Sequence, residues 1–370
     1  MFRPASTPAT EERIAKLRVP VGFAVSAFAR DLGHPRMLAV GPDGEIYVTR
    51  PQQDDVLVLE ARDLDEPPSR RTLVSGLDEV HGIALRGDQV YLATPTQVLA
   101  VERSARDGRA RVVADGLPDG GQHPNRTLGF GPDGALYVSV GSSCNACQES
   151  NAEHATLLRV DVESGERRLF ARGLRNTIGF AWHPQTQALW GMDHGTDWLG
   201  DDVPPEELNQ LAEGRDYGWP FCFGDRTPDP SMREPQGDAA QRGATKAEYC
   251  KATEPPVLGT QAHAAPIGLV FYDGITFPDR YRGSAFVAMH GSWNRKPAVG
   301  YEVVALIFEG GRPVRFEPFL HGFLVEDGSA HFGRPAGVAL AKDGALLVSD
   351  DVNGILYRVS YGSARIAKPE

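Results

Sequence analysis

"GPDGEIYVTR" at 41–50, "GPDGALYVSV" at 131–140 and "AKDGALLVSD" at 341–350 are one ten-residue phrase written three times. In each copy an Asp-Gly pair, which favours a tight turn, leads into alternating apolar residues, the pattern of a hairpin entering a strand. Weaker relatives are "RGDQVYLATP" at 86–95, "HPQTQALWGM" at 183–192 and "YRGSAFVAMH" at 281–290. An apolar run sits just upstream of most copies, as in "RMLAV", "GIALR", "TLGF", "TIGFAW" and "AGVALA". A further strand-like stretch follows, such as "DVLVLEA", "LLRVDV" or "GILYRVSY". The unit is therefore strand, Asp-Gly turn, strand, further strand. Six units fit, the first four spaced by about 45 to 50 residues, the period of a four-stranded propeller blade. The expected fold is all-β, a six-bladed β-propeller. The competing arrangement is a β-sandwich with chance similarity of turns.

Composition agrees with many short strands. The 370 residues include 41 Gly and 28 Pro, more suited to tight turns than to a helix bundle. The formal net charge of -11 argues against a nucleic-acid partner, which needs clustered Lys and Arg. No run of about 18 apolar residues is present, so no membrane insertion is expected. The N-terminal "MFRPASTPATEERIAKLRVPVGF" holds no apolar signal-peptide core. We divide the chain into an extension at 1–19, a propeller at 20–361 and a tail at 362–370. A short helix is expected in "ATEERIAKL". Residues 198–262 break the repeat and read as one long insertion over one face, not a second domain, since long loops in such folds tend to be functional.

Chemistry concentrates at one position of the repeat. His81, His123, Arg175 and Arg334 each stand just before the first apolar strand of a unit. Repeat geometry brings such positions to one axial mouth, making a cationic cavity suited to a small anion. His123 could act there as a general base, and Arg175, followed by Asn176, offers a planar fork for an oxyanion or carboxylate. The loop after "MDHG" carries Asp197, Asp201, Asp202, Glu206 and Glu207. Its hard oxygens suit Ca²⁺; a merely solvated acidic loop is the other reading. Cys144 and Cys147 form C-x2-C, but zinc would need two more ligands. Four cysteines allow three pairings. We expect Cys144–Cys147 and Cys222–Cys250 disulfides over free thiols, and with them an oxidising compartment, although no leader is visible. No G-x-S-x-G, Walker, Rossmann or HExxH pattern occurs.

At this point a resemblance enters. "GLRNTIGFAWHPQTQALWGMDHG", "EELNQL" and "RDYGWPFC", in that order, resemble the glucose/sorbosone dehydrogenase family. "GTDWLGDDVPPEELN", "MHGSWNR" and "GRPAGVAL" are most similar to its sorbosone-dehydrogenase-like branch, and the likeness runs over about residues 20–361. The resemblance implies a six-bladed propeller that binds pyrroloquinoline quinone (PQQ) with calcium and oxidises an aldose or sugar aldehyde. It implies a separate electron acceptor and a periplasmic or secreted location. His123 matches the catalytic base, and Arg175 the arginine beside the quinone carbonyls, with Asn176 next to it. Arg334 matches one arginine of the carboxylate clamp, and Arg295 stands near the clamp lysine; His81 joins the cofactor-facing ring. The carbonyls of Gly195 and Thr196 match the ligands of the cofactor-linked calcium. Glu207 and Tyr217 match a second, structural calcium site. The chain departs from the glucose-oxidising pattern at Ser142, where an aspartate orients the base, and at Ala336, where the clamp has a second arginine. Alternative readings are a non-catalytic propeller that binds carbohydrate or protein and, less well matched, a calcium-dependent lactonase.

Overall fold

In the computed structural model, which describes residues 2–61, 67–119 and 121–362, the three copies of the phrase share one turn. The N–H groups of Gly44, Gly134 and Gly344 donate to the carbonyls of Gly41, Gly131 and Ala341, at 3.0, 2.8 and 2.9 Å. These glycines have φ of +92°, +75° and +85°, a region that costs other residues strain. The strand then buries one side chain after another: Val48, Val138 and Val348 are all fully buried.

Each phrase supplies the second strand of a four-stranded antiparallel sheet. The first sheet runs Leu38–Val40, Ile46–Arg50, Asp55–Glu60, Ser69–Ser75; the second runs Gly82–Arg86, Gln89–Ala93, Val98–Glu102, Arg111–Ala114. The third contains Arg126–Phe130, Leu136–Val140, Thr156–Val160 and Arg167–Arg172. The fourth contains Thr177–Trp182, Leu189–Asp193, Glu206–Leu211 and Leu258–Thr260. The fifth is Pro266–Phe271, Ala285–Met289, Glu302–Glu309 and Arg312–Leu320. The sixth joins Pro335–Leu340, Leu346–Asp350 and Ile355–Tyr361 to Phe23–Ala29 from the other end of the chain. The first strand of each sheet contacts the first strand of the next, and Pro335–Leu340 contacts Leu38–Val40. Apolar clusters fill the spaces between neighbouring sheets, such as Tyr47, Val58, Val90 and Leu92 between the first and second. The chain is all-β; the helices described, Glu11–Ile14 and Lys246–Lys251, are short.

The hydroxyl that follows the buried valine in the phrase has a structural task. Thr49 Oγ1 donates to the His81 carbonyl at 2.9 Å and accepts from Met37 N–H at 3.0 Å. Ser349 Oγ donates to the Arg36 carbonyl at 2.6 Å and accepts from Gly337 N–H at 2.8 Å. In both cases one hydroxyl ties its own sheet to the mouth of the next. Ser139 accepts from Thr127 N–H at 3.2 Å. These groups are buried but satisfied, which is why a polar residue is tolerated there.

The stretch 198–262 is not one excursion. "EELNQL" forms the strand Glu206–Leu211, paired with Leu189–Asp193, and Leu258–Thr260 pairs with it in turn. Leu208 and Leu211 are buried, and the two glutamates are held by backbone donors, so an acidic segment still works as a strand. The true excursion is 212–257. It carries a small core of Phe221, Tyr249 and the Cys222–Cys250 disulfide. Cys144 and Cys147 are also joined. Ahead of the sixth sheet's outer strand, Ala5–Ser6 pairs with Ala330–His331. Thr10 caps the helix at Glu11–Ile14. Residues 363–370 of the expected tail lie outside the described residues. Among the described residues no helix is long and apolar enough to cross a membrane.

Candidate active site

The mouths of the sheets converge on a cavity of about 320 Å³, lined by His123, Arg175, Asn176, Gly195 and Arg334 among others. A larger cleft, about 550 Å³, opens beside Arg86 and Arg159. Its charges are paired within the protein, as in Arg159–Asp133 at 2.7 Å and Arg167–Glu153 at 2.6 Å, so we place the site at the smaller one.

Two buried aspartates set the arginines. Asp193, at the end of its strand, accepts from the N–H groups of Arg175 and Asn176 at 2.9 Å each, and from Thr177 Oγ1 at 2.8 Å. Asp350 accepts from Arg334 N–H at 3.0 Å and Val352 N–H at 3.1 Å. Burial pushes Asp193 up to about 6 and Asp350 to about 7. The Arg175 guanidinium is held by the Asn145 carbonyl at 2.9 Å, Asn145 Oδ1 at 2.8 Å and Asp197 Oδ2 at 2.9 Å. Arg334 bonds the carbonyls of His290 and Gly291 at 3.0 and 2.6 Å.

His123 has a defined tautomer. Its Nδ1 lies 3.1 Å from the Ser142 carbonyl and 2.9 Å from Ser142 Oγ. Ser142 Oγ gives its own hydrogen to the Cys144 carbonyl at 2.7 Å, so both neighbours of Nδ1 are acceptors. Nδ1 therefore carries the proton and Nε2 keeps its lone pair. Burial, then the Arg175 charge and His194, push His123 down to about 3, so the ring is neutral at pH 7.

Other expected residues lie behind the wall or away from it. His81 stands behind Arg36, accepting from Arg36 Nε at 3.4 Å, with its Nδ1 at 3.0 Å from the Arg126 carbonyl. Arg295 is directed to the Asp201 carbonyl at 2.6 Å and Asp202 Oδ1 at 2.5 Å. Thr196 is buried next to Gly195. Glu207 accepts from Gly224 N–H at 2.6 Å, and burial raises it to about 8. The Tyr217 hydroxyl donates to the Gln210 carbonyl at 2.6 Å.

Asp197 and Glu206 of the acidic loop line the cavity, together with groups not expected there from the sequence: Arg36, His194, His263 and His290. Arg36 and His290 had a signal, since Arg36 opens "RMLAV" and His290 directly follows a strand. Arg36 pairs with Asp351, which also lies 3.0 Å from His290 Nε2. Burial would raise Asp351, but His290 and Arg36 outweigh it and hold it far below the ordinary carboxylate range. His194 gives Nε2–H to the Pro266 carbonyl at 2.6 Å and accepts from Asn176 Nδ2 at 3.2 Å. Glu206 accepts from Gly195 N–H at 2.8 Å and Ala265 N–H at 2.9 Å, and burial pushes it up to about 7.

A model of the TrAA12-like family matches residues 17–362. The chain belongs to the TrAA12-like family. Among relatives of this TrAA12-like chain, an uncharacterised protein of Borreliella burgdorferi is 29% identical over 373 residues, 96% of this chain and 93% of its own. The aldose sugar dehydrogenase of Escherichia coli is 28% identical, over 43% of either chain. The pyrroloquinoline quinone-dependent sugar dehydrogenase of Hypocrea jecorina is 25% identical over 60% of either chain. In fold, the TrAA12-like chain matches the calcium structure of the Trichoderma reesei family AA12 enzyme with TM-score 0.78, at 22% identity over 93% of this chain and 97% of that one. It matches the holo PQQ domain of Coprinopsis cinerea pyranose dehydrogenase with TM-score 0.77, at 19% identity over 97% and 100%.

Proposed function

We propose that this TrAA12-like chain is a six-bladed propeller and a PQQ- and calcium-dependent oxidoreductase that oxidises an aldose or sugar aldehyde. The family and the named sugar dehydrogenases among its relatives support the reaction class. The observation that carries the residue roles is the tautomer of His123: a neutral imidazole whose Nε2 lone pair belongs to a cavity walled by Arg175, Arg334 and Arg36.

The residues fit the group. Three guanidinium groups suit a compound with several carboxylates, and the cavity is of ordinary small-ligand size. Among the described residues no hydrogen bond is made to the carbonyls of Gly195 and Thr196, which leaves both free to ligate Ca²⁺. Held there, the cofactor would supply a hydride acceptor and the ion a Lewis acid to polarise it. His123 Nε2 takes the proton of the sugar hydroxyl, and Ser142 holds the imidazole's other edge. Arg175 orients the acceptor's oxygens, and the bonds from Asn145 and Asp197 keep its fork in place. We assign Glu207 and Tyr217 to a second, structural calcium site. The amide oxygen of the buried Asn209, two residues on from Glu207, lacks a partner among the described residues. Hard oxygen donors in a buried acidic pocket call for a cation.

The sugar is of the type handled by the sorbosone-dehydrogenase-like branch, and the electrons pass to a separate acceptor. Two disulfides favour a periplasmic or secreted setting. Ser142 and Ala336 favour a second reading, a propeller that binds carbohydrate or protein without turnover. Titrating chelator-stripped protein with PQQ, with and without Ca²⁺, separates the two, with absorbance and dye reduction on a sugar panel as readouts. Calcium-dependent binding with turnover is expected. Absence of PQQ binding overturns the proposal; binding without turnover on any sugar favours the second reading.

A further inference from the structure

Beside the cavity stands an aromatic pair that the proposed chemistry does not use. Trp198 is 58% exposed, an unusual state for so large an apolar ring. Its φ is +76°, a backbone conformation that a bulky residue adopts only where its surroundings impose it. The indole meets that of Trp293 edge to face, with ring centroids 5.4 Å apart and planes at 83°. Trp293 lines the cavity. The pair is fixed from its flank: Asn294 Nδ2 donates to Asp197 Oδ1 at 2.7 Å, tying the residue after Trp293 to the residue before Trp198. Asp197 is itself held by Arg175. The exposed ring is therefore indexed to the catalytic arginine.

Among the charged groups and histidines that line the cavity stand neutral amides. Asn125 and Asn294 line the cavity, and Asn294 Oδ1 is buried with no partner among the described residues. A buried acceptor without a donor implies a ligand group that supplies one. Flat aromatic faces beside neutral amides suit a ring that is apolar on its face and carries hydroxyls at its rim, which is a pyranose.

We propose that Trp198 and Trp293, with Asn294, form a pyranose-binding subsite at the cavity mouth that selects the substrate. It rests on the sugar-oxidising reading above, and names where the sugar ring sits. The ring stacks on Trp198, and one of its hydroxyls donates to Asn294 Oδ1. Binding here positions the sugar without taking part in proton or hydride transfer.

The test has two readouts. Cofactor-free protein is titrated with glucose, xylose, maltose and cellobiose while tryptophan fluorescence and heat are followed. At least one of these sugars should bind, Trp198→Ala should weaken it ten-fold or more, and Trp198→Phe should recover most of the loss. In reconstituted protein, Trp198→Ala should raise KM by a similar factor with kcat and PQQ affinity unchanged. Equal sugar affinity in wild type and Trp198→Ala overturns the subsite, as does failure of all four sugars to bind the wild type. A fall in kcat alone also overturns it, since that would put Trp198 in the chemistry. Loss of PQQ binding in the wild type would sink the dehydrogenase reading and leave the sugar titration standing.

Discussion

His123 is set up by its neighbours more than by its own type. Its Nδ1 proton is fixed by two acceptors on Ser142, one of them made an acceptor by the Cys144 carbonyl. Replacing His123 with alanine should lower kcat by about 10²–10⁴ while leaving PQQ binding intact, the loss expected of a general base; stopped-flow dye reduction with absorbance titration checks both. Asn145 deserves equal weight at this scale. It accepts twice from Arg175, and its side chain exchanges bonds with Asp197 at 2.8 and 3.1 Å. Asn145→Ala removes the Oδ1 bond while the backbone carbonyl and Asp197 still hold Arg175; it should loosen the fork, weaken PQQ by about ten-fold and lower stability by about 1–3 kcal/mol. Unchanged PQQ affinity would show that Arg175 holds its place without it. Neither role of these neighbours is written locally: Asn145 and Arg175 are 30 residues apart, and nothing in "CNAC" announces a partner.

At the level of elements, the phrase that opens the sequence was legible because alternation and Asp-Gly turns are local. Its Thr and Ser were legible only as strand residues. Their service as ties to the next sheet depends on packing. Ser349→Val should orphan the Arg36 carbonyl and the Gly337 N–H in a dry place, costing about 1–3 kcal/mol, whereas Ser349→Thr should keep most of the stability; denaturant melts of the two variants decide. The insertion is narrower than its sequence suggests, for a physical reason. Glu206 and Glu207 look like loop residues because charge is rare in buried strands, yet each is met by backbone N–H groups. The paired aspartates Asp193 and Asp350 were hidden likewise, since their acceptance of arginine N–H groups is a feature of folded strand ends.

For the whole molecule, composition and repeat set the class of fold, while the electrostatics emerged only on assembly. Glu302 illustrates the cost of burying charge. Burial alone raises it to about 7 from an ordinary 4.5. A carboxyl raised in the folded state keeps its proton longer than the unfolded chain does. The folded protein is therefore favoured below about pH 4.5, and that advantage fades as pH rises through about 7. Glu302→Gln should stabilise the protein by up to about 3 kcal/mol at pH 8 and change little at pH 4, read from melts at both pH values. The sixth sheet carries a different consequence, one of time. Its outer strand, Phe23–Ala29, is made long before its partner Ile355–Tyr361. At about 5–20 residues per second the early strand waits on the ribosome for roughly half a minute. Through that interval its edge has no native neighbour, so it is open to transient pairing until Ile355–Tyr361 is made.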